Sequence, residues 1–446
     1  MSRSNAVITG LGVVSSIGIG ADEYFDSLRN GRSGVRSLTE RTDGEVQPRS
    51  DEPIDLSIGA PILGFEPKQY VRPRKSLKVM CREISTAFAA SQIAIEDANL
   101  DELVPASSDG TLAPEEIATV FGAEILFSAP VEMLDSILGC HDDDGVLNAG
   151  QYGIAAKRGL MPLWLLKYLP NMAACHVGIS VNAQGPNNSL LLGDVSGPNA
   201  LIESLGCLDR GIAKVAITGA SGTRINAMRM IFRDDHPIAA ASDPVANSSR
   251  PHDESSQGIV SGEGGASILV EDAGFAKSRG AAPIARIAGY GMSFIASDGM
   301  KSHQRSKSNS QTGSRGSAAA IEAAIGAALR KADLQPEQLG LIVSHGTGDP
   351  ISDLAEREAL QRHFTKTSMI APMAWIGHTG AASGEFGIVT GALCIKHRQI
   401  PATLNAESSS ESVRLLTETR RLEQDHVLCL SHTTAGSAVA IILAAL

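Results

Sequence analysis

Two histidines stand in glycine-rich turns that leave room for a ligand. His345 lies in VSHGTGDPISDLAE, residues 343–356, where an apolar run ends and Gly346 and Gly348 let the chain turn tightly. Asp353 and Glu356 follow on what reads as the next helix. A histidine at the carboxyl end of a strand in an α/β sheet is well placed for catalysis, because ligands bind outside those ends and imidazole titrates near neutrality. The alternative is a loop histidine that caps backbone groups. His378 lies in WIGHTGAASGEFG, residues 375–387, between Gly377 and a small-residue stretch that opens a helix. A third place is LLLGDVSGP, residues 190–198, where the single acid Asp194 closes an apolar run at the mouth of a helix. A helix N-terminus favours the ionised carboxylate, and burial favours the neutral acid.

Other motifs carry less chemistry. RPHDESSQGIVSGEGGASILVED, residues 250–272, places Gly262, Gly264 and Gly265 around Glu263, which reads as close backbone packing before a strand. GLGVVS, residues 10–15, lacks the third glycine of a dinucleotide fingerprint. CHDDDG, residues 140–145, reads as a solvated turn, since consecutive acids rarely converge on one ion. KSHQRSKSNSQTGSRGS, from residue 301, is Ser-rich and basic and is expected to be mobile. Neither a metal nor a cofactor is expected.

The elements that must position these residues alternate, as in an α/β fold. Strands are expected in AVITGLG, EIATVFGAE, VAITGAS, ASILVED, PIARIAGYG, LGLIVSHG and AVAIILAAL. Helices are expected in REISTAFAASQIAIEDANL, ALIESLGCLDRG, SAAAIEAAIGAALRKADL, SDLAEREALQRHF and GEFGIVTGALCIKHRQI. A strand entering a Gly turn near residue 6 recurs near residue 283, each followed by an Ala-rich helix and another strand. That layout points to internal duplication, with halves 1–272 and 273–446 joined by AGFAKSRGA.

Bulk properties agree with two such halves. A chain of 446 residues exceeds what one hydrophobic core normally organises, and 45 glycines with 4% aromatic residues favour small-residue packing at tight junctions. The net charge of −11 is spread along the chain, so nothing advertises a nucleic-acid surface. Six cysteines without paired spacing suit reduced thiols in a cytoplasm. The glycine-broken run AVITGLGVVSSIGIG reads as a buried strand and turn rather than a signal peptide, and no apolar stretch is long enough to span a bilayer.

Taken in order, VITGLGVVSSIGIGADEYFDSLRNGRSGV, LPNMAACHVGI with GPN, RPHD, GEGGA, HGTG with Asp353 and Glu356, and IGHTGAASG resemble the β-ketoacyl-acyl-carrier-protein synthases of the elongating, condensing type, from about residue 5 to 445. The resemblance implies an α/β, thiolase-like fold of five α-β-α-β-α layers built from two duplicated halves, usually dimeric. It also implies that a Cys thiolate accepts the acyl group while two histidines, matched by His345 and His378, polarise a malonyl thioester. Aligning Gly185-Pro186-Asn187 and Ser196-Gly197 with the family pattern places Asp194 where that Cys belongs, and Cys175 and Cys207 lie too far along to replace it. Met373 stands where the family often has Lys, Thr434 stands at or near a gating aromatic, and Pro198 moves the expected helix start to Ser196 or Gly197.

Three functions follow from the resemblance. One is a degenerate ketosynthase that decarboxylates a malonyl thioester with His345 and His378. Another is a non-catalytic partner of an active ketosynthase, like a chain-length-factor subunit, in a heterodimer rather than a homodimer. The third is an ordinary condensing acyltransferase whose nucleophile lies at a Cys other than the position the alignment marks. The implied partner is an acyl carrier protein or acyl thioester, in fatty acid or polyketide biosynthesis. For that acidic partner, VRPRKSLKVMCRE offers Arg72, Arg74, Lys75, Lys78 and Arg82, and Lys75, Lys78 and Arg82 fall at helical spacing as one basic stripe. A plain solvated helix face is the alternative.

Overall fold

Ten central strands carry the fold, and most are buried on both faces, so they read as nearly continuous apolar runs. They are β1 Ala6–Ser15, β2 Ile117–Gly122, β3 Asn187–Leu190, β4 Val215–Thr223, β5 Glu263–Asp272, β6 Ala285–Phe294, β7 Leu339–Val343, β8 Ser368–Ile370, β9 His426–His432 and β10 Ser437–Ala444. The coordinates are a computed structural model that describes residues 5–38, 57–104, 111–142, 144–226, 228, 236–297, 315–408 and 413–446. The basic Ser-rich segment falls at 301–314 outside the described residues, as does Asp143 of CHDDDG. The rest of that motif is a turn: Asp142 Oδ1 accepts from the Asp144 and Val146 N–H groups.

The sheet order is β3-β2-β4-β5-β1 on the N-terminal side and β8-β7-β9-β10-β6 on the C-terminal side. Both sets start with parallel strands, β2 with β3 and β4, and β7 with β8 and β9. Both end with antiparallel ones, β4 with β5 and β5 with β1, and β9 with β10 and β10 with β6. Strand for strand, the two sets repeat one topology, and β1 meets β6 through Val7–Arg286 and Ile8–Ala285.

Six helices complete the layers: α1 Arg82–Asp97, α2 Met172–Val181, α3 Ser196–Asp209, α4 Ala318–Ala332, α5 Pro350–Leu360 and α6 Ser383–His397. Helices α1 and α2 cover the outer face of the first sheet. The outer face of the second carries α4, with α5 packed beside it, and α3 and α6 pack together between the sheets. The result is the thiolase-like α-β-α-β-α arrangement. Its middle layer explains α6, which is apolar almost all round and buried from Ser383 to Ile395.

The expected strands and helices all form. AVITGLGVVS is a fully buried strand, and α3 begins at Ser196 with Pro198 in its first turn, where a missing N–H costs no hydrogen bond. The strands HVLCLSH and SMI and the helix MAACHVGISV were not among the expected elements, because such short, uniformly apolar runs show neither a two- nor a 3.6-residue period. All six cysteines are free thiols, and no helix among the described residues is long and apolar enough to cross a membrane.

Candidate active site

Asp194 sits in the 3-10 turn Gly193–Val195 that joins β3 to α3, in the middle layer. Ser196 fixes this turn by donating its hydroxyl to the Gly193 carbonyl, and Ser431 on β9 donates to the Asp194 carbonyl at 2.8 Å. A residue from the first half is thereby pinned by a strand of the second.

His345 follows directly on β7. Its backbone N–H donates to Glu356 Oε1 at 3.2 Å, and Asp353 Oδ1 and Oδ2 accept from the Thr347 and Gly348 N–H groups at 2.7 and 3.0 Å. The two acids of α5 therefore hold the backbone of the HGTG turn and are not aimed at a ligand. Gly346 allows His252 to pack beneath it, since a Cβ there would lie 2.4 Å from His252 Nε2.

His378 is anchored through its own backbone, with its N–H on the Val260 carbonyl at 2.8 Å and its carbonyl accepting from Gly262 N–H at 2.9 Å. Gly377 before it has φ 66°, and a Cβ there would meet the Val260 carbonyl at 2.7 Å. Gly380 N–H donates to His378 Nδ1 at 3.3 Å, which leaves the ring proton on Nε2.

These three side chains converge. Asp194 Oδ2 lies 3.0 Å from His378 Nε2 and 3.5 Å from His345 Nε2, and Asp194 Oδ1 faces the buried Arg224 guanidinium at 3.4 Å. Asp194 is 3%, His345 1% and His378 0% exposed, so the contacts are screened from water. Burial alone would raise the Asp194 pKa, but His378 above all, with His236 and His345, more than reverses this and holds the carboxyl well below its ordinary value. Burial pushes His345 down to about 4 and His378 below its usual value, with Asp194 opposing both. Near neutral pH the site is an ionised carboxylate among neutral imidazoles.

Three further histidines join the cluster without having been singled out in the sequence. His236 Nδ1 lies 3.0 Å from Asp349 Oδ2 and its Nε2 3.9 Å from Asp194 Oδ2. His252 Nε2 contacts Ser344 Oγ at 2.6 Å, and His432 Nε2 contacts Glu356 Oε2 at 3.2 Å. Burial would raise the Glu356 pKa, but the His432 hydrogen bond and the charges of His252 and His432 bring it down to about 2. The signal was present as single histidines in DDHP, RPHD and SHTT, but a lone His in a loop carries no sequence period to mark it as buried.

The chain matches the model of the β-ketoacyl synthase N-terminal domain over residues 4–276 and that of the C-terminal domain over residues 295–407. The chain belongs to the β-ketoacyl synthase family. Relatives include a 3-oxoacyl-[acyl-carrier-protein] synthase 2 of Synechocystis sp., 27% identical over 92% of this chain and 89% of the relative. A putative polyketide beta-ketoacyl synthase 1 of Streptomyces cyaneus is 28% identical over 99% of this chain and 98% of the relative. In fold, the chain resembles the ishigamide ketosynthase/chain length factor, with TM-score 0.79, 22% identity and both chains fully covered. It also resembles AntDE:AntF, a type II PKS acyl-carrier protein in complex with its ketosynthase, with TM-score 0.77, 19% identity and both chains fully covered.

The cysteines of this β-ketoacyl synthase-family chain lie elsewhere. Cys207 is on α3, 11 residues beyond Ser196 and so about 16 Å further along the axis. Cys175 is on α2, on the outer face of the first sheet. Burial pushes the Cys394 and Cys429 thiols well up, the opposite of an activated thiolate. Glu385 on α6 is also buried, neither carboxyl oxygen has a hydrogen-bond partner among the described residues, and burial pushes its pKa up to about 8.

Two other expected features have definite places. Thr434 lies in the turn between β9 and β10, half-buried, and its carbonyl accepts from Gly316 N–H at 2.9 Å. The basic stripe is corrected. Arg74, Lys75 and Lys78 are exposed on a 3-10 turn, Arg74–Val79, but Met80 is extended and breaks the helical register before α1 begins at Arg82. Arg82 turns inward to Glu263, with Nε–Oε2 at 2.8 Å and Nη2–Oε1 at 2.7 Å. A buried acid on β5 attracts it more strongly than solvent does, and the glycines around Glu263 instead make room for the Ile376 carbonyl, the Phe386 ring and Thr86, which a Cβ would meet at 2.3, 2.7 and 2.9 Å.

Proposed function

We propose that this β-ketoacyl synthase-family protein serves acyl-carrier-protein-dependent fatty acid or polyketide synthesis as the non-condensing subunit of a heterodimer with an active ketosynthase. The observation that carries the reading is Asp194. It stands where His345 and His378 converge, and it is an anion held by both and by Arg224. A carboxylate there is a poor thioester nucleophile, since its product would be a reactive anhydride. Its charge also repels the carboxylate of a malonyl group. The partner role needs neither function.

The surface supports an assembly. Strand β3 is a sheet edge with exposed residues, and Ile125, Ile179, Leu191 and Leu192 around it are 62%, 71%, 43% and 49% exposed. An open edge flanked by large apolar side chains is the kind of surface that a second subunit covers. Co-expression with a Cys-bearing ketosynthase of the same organism, followed by affinity capture and light scattering, tests the reading. A 1:1 heterodimer is expected. A protein that remains a homodimer in that ketosynthase's presence overturns it.

Decarboxylation of a malonyl thioester is the second reading, favoured by the retention of both His345 and His378. Incubation with malonyl-carrier protein gives no acetyl-carrier product if the charge of Asp194 governs. An acetyl product that disappears in His378→Ala would establish the decarboxylase instead.

A further inference from the structure

Three imidazole nitrogens face one carboxylate oxygen. The Nε2 atoms of His378, His345 and His236 lie 3.0, 3.5 and 3.9 Å from Asp194 Oδ2. One donor atom each from Asp194, His236 and His378 fall within 4.8 Å of one another, and all three residues are buried. Donors around a zinc-sized ion, at bond lengths of about 2.0–2.1 Å, stand about 3.0–3.5 Å apart. The cluster is thus within a small contraction of a coordination sphere.

His236 gives the arrangement its direction. Its Nδ1 lies 3.0 Å from Asp349 Oδ2, and Arg315 clamps that carboxylate, with Nε–Oδ2 at 2.6 Å and Nη2–Oδ1 at 2.9 Å. With its other side held by the Arg315 guanidinium, the Asp349 carboxylate is placed to accept the His236 Nδ1 proton. When the ring is neutral, its lone pair then lies on Nε2, facing Asp194. Two acceptors turned towards each other in a buried site are stabilised by a cation between them. A carboxylate fixing the far nitrogen of an imidazole is also the usual support of a metal-bound histidine. His345 supplies a second, independent sign, since it is 1% exposed and neither ring nitrogen has a hydrogen-bond partner among the described residues, although its Nε2 points at the same oxygen.

We propose that Asp194, His236 and His378 bind a divalent transition-metal ion, with His345 as a flanking fourth donor. Two or three neutral imidazoles with one carboxylate and no thiolate suit zinc, cobalt, nickel or ferrous iron rather than calcium or magnesium. The set leaves coordination open for water or for a carboxylate or thioester oxygen. In the metal-free state His378 carries its proton on Nε2 and donates it to Asp194, so coordination through Nε2 moves that proton to Nδ1 and the weak 3.3 Å contact from Gly380 is lost. The site is independent of the heterodimer role.

The test uses the full-length chain, purified without an affinity tag that binds metal, incubated with Co(II) and separately with Zn(II). One equivalent of Co(II) per chain is expected, with visible d–d bands and no thiolate charge-transfer band, and Zn(II) should displace it. Asp194→Asn and His236→Ala should each weaken binding more than tenfold. Asp349→Asn, which leaves every ligand in place, should weaken it about 10- to 100-fold. Failure of the folded wild-type protein to bind a stoichiometric ion overturns the proposal, as does binding unchanged in Asp194→Asn and His236→Ala. Should those variants not fold, the wild-type Co(II) spectrum decides, because a thiolate band or a spectrum of solvated ion contradicts this ligand set.

Discussion

His378 Nε2 donates to Asp194 Oδ2 at 3.0 Å across the seam between the two sheets, joining α6's approach to the mouth of α3. The contact ties the imidazole of His378 to a carboxylate of the same chain, in a buried pocket. With Arg224 on its other oxygen, Asp194 is as much a structural anion as a site residue. Asp194→Asn should lower stability by about 3 kcal/mol, because removing one partner of a buried ion pair leaves the other's charge in a dry interior. Urea unfolding of the two proteins checks this, and equal midpoints would contradict it.

Glu385 sets a pH dependence of opposite sign to that of the histidines. Its folded pKa of about 8 lies above the ordinary 4.5, so the native state holds a proton that the unfolded state releases between those values. Stability should then fall as pH rises from 4.5 to 8, by up to about 1.4 kcal/mol per pH unit from this group. His345, held at about 4 against an ordinary 6.5, works the other way, since its unfolded form takes up a proton first as pH falls from 6.5 towards 4. Between pH 4.5 and 6.5 the two groups oppose each other, and above 6.5 the loss from Glu385 is no longer offset by His345. Glu385→Gln should flatten the loss of stability above pH 6.5 and steepen its rise with pH between 4.5 and 6.5, as read from unfolding midpoints across pH.

Arg82 and Lys78 should separate in their effects. Arg82→Ala leaves Glu263, 5% exposed, without its guanidinium and should cost about 1–3 kcal/mol of stability. Lys75→Glu and Lys78→Glu, on exposed positions, should leave unfolding within about 0.5 kcal/mol of wild type. If the exposed Arg74, Lys75 and Lys78 meet an acidic carrier protein, the two Lys variants weaken its binding, most clearly at low salt. Thermal unfolding and carrier-protein titration measure both.

Much of this was legible in the sequence. The alternation of apolar runs pointed to an α/β fold and the family resemblance to its layers, the recurrence at residues 6 and 283 matches the first strand of each repeated sheet set, and Pro198 marked the start of α3. His345, His378 and Asp194 do converge. What escaped was long-range pairing. Lys75, Lys78 and Arg82 share helical spacing, yet an extended residue at Met80 and a buried acid 181 positions away decide where Arg82 goes. His236, His252 and His432 gave no local sign of burial, because each enters the site from a loop or strand end through contacts with residues more than 75 positions distant. The role of Asp353 and Glu356 as backbone anchors likewise depends on a turn geometry that spacing alone does not fix.

The most direct test of the central claim is acyl loading followed by intact-protein mass spectrometry. After incubation with an acyl-carrier protein and an acyl thioester, the wild-type chain should gain no acyl mass. Asp194→Cys, which restores a thiol between His345 and His378, should gain one acyl group per chain at residue 194. A stoichiometric acyl adduct on a cysteine of the wild-type protein would contradict the account.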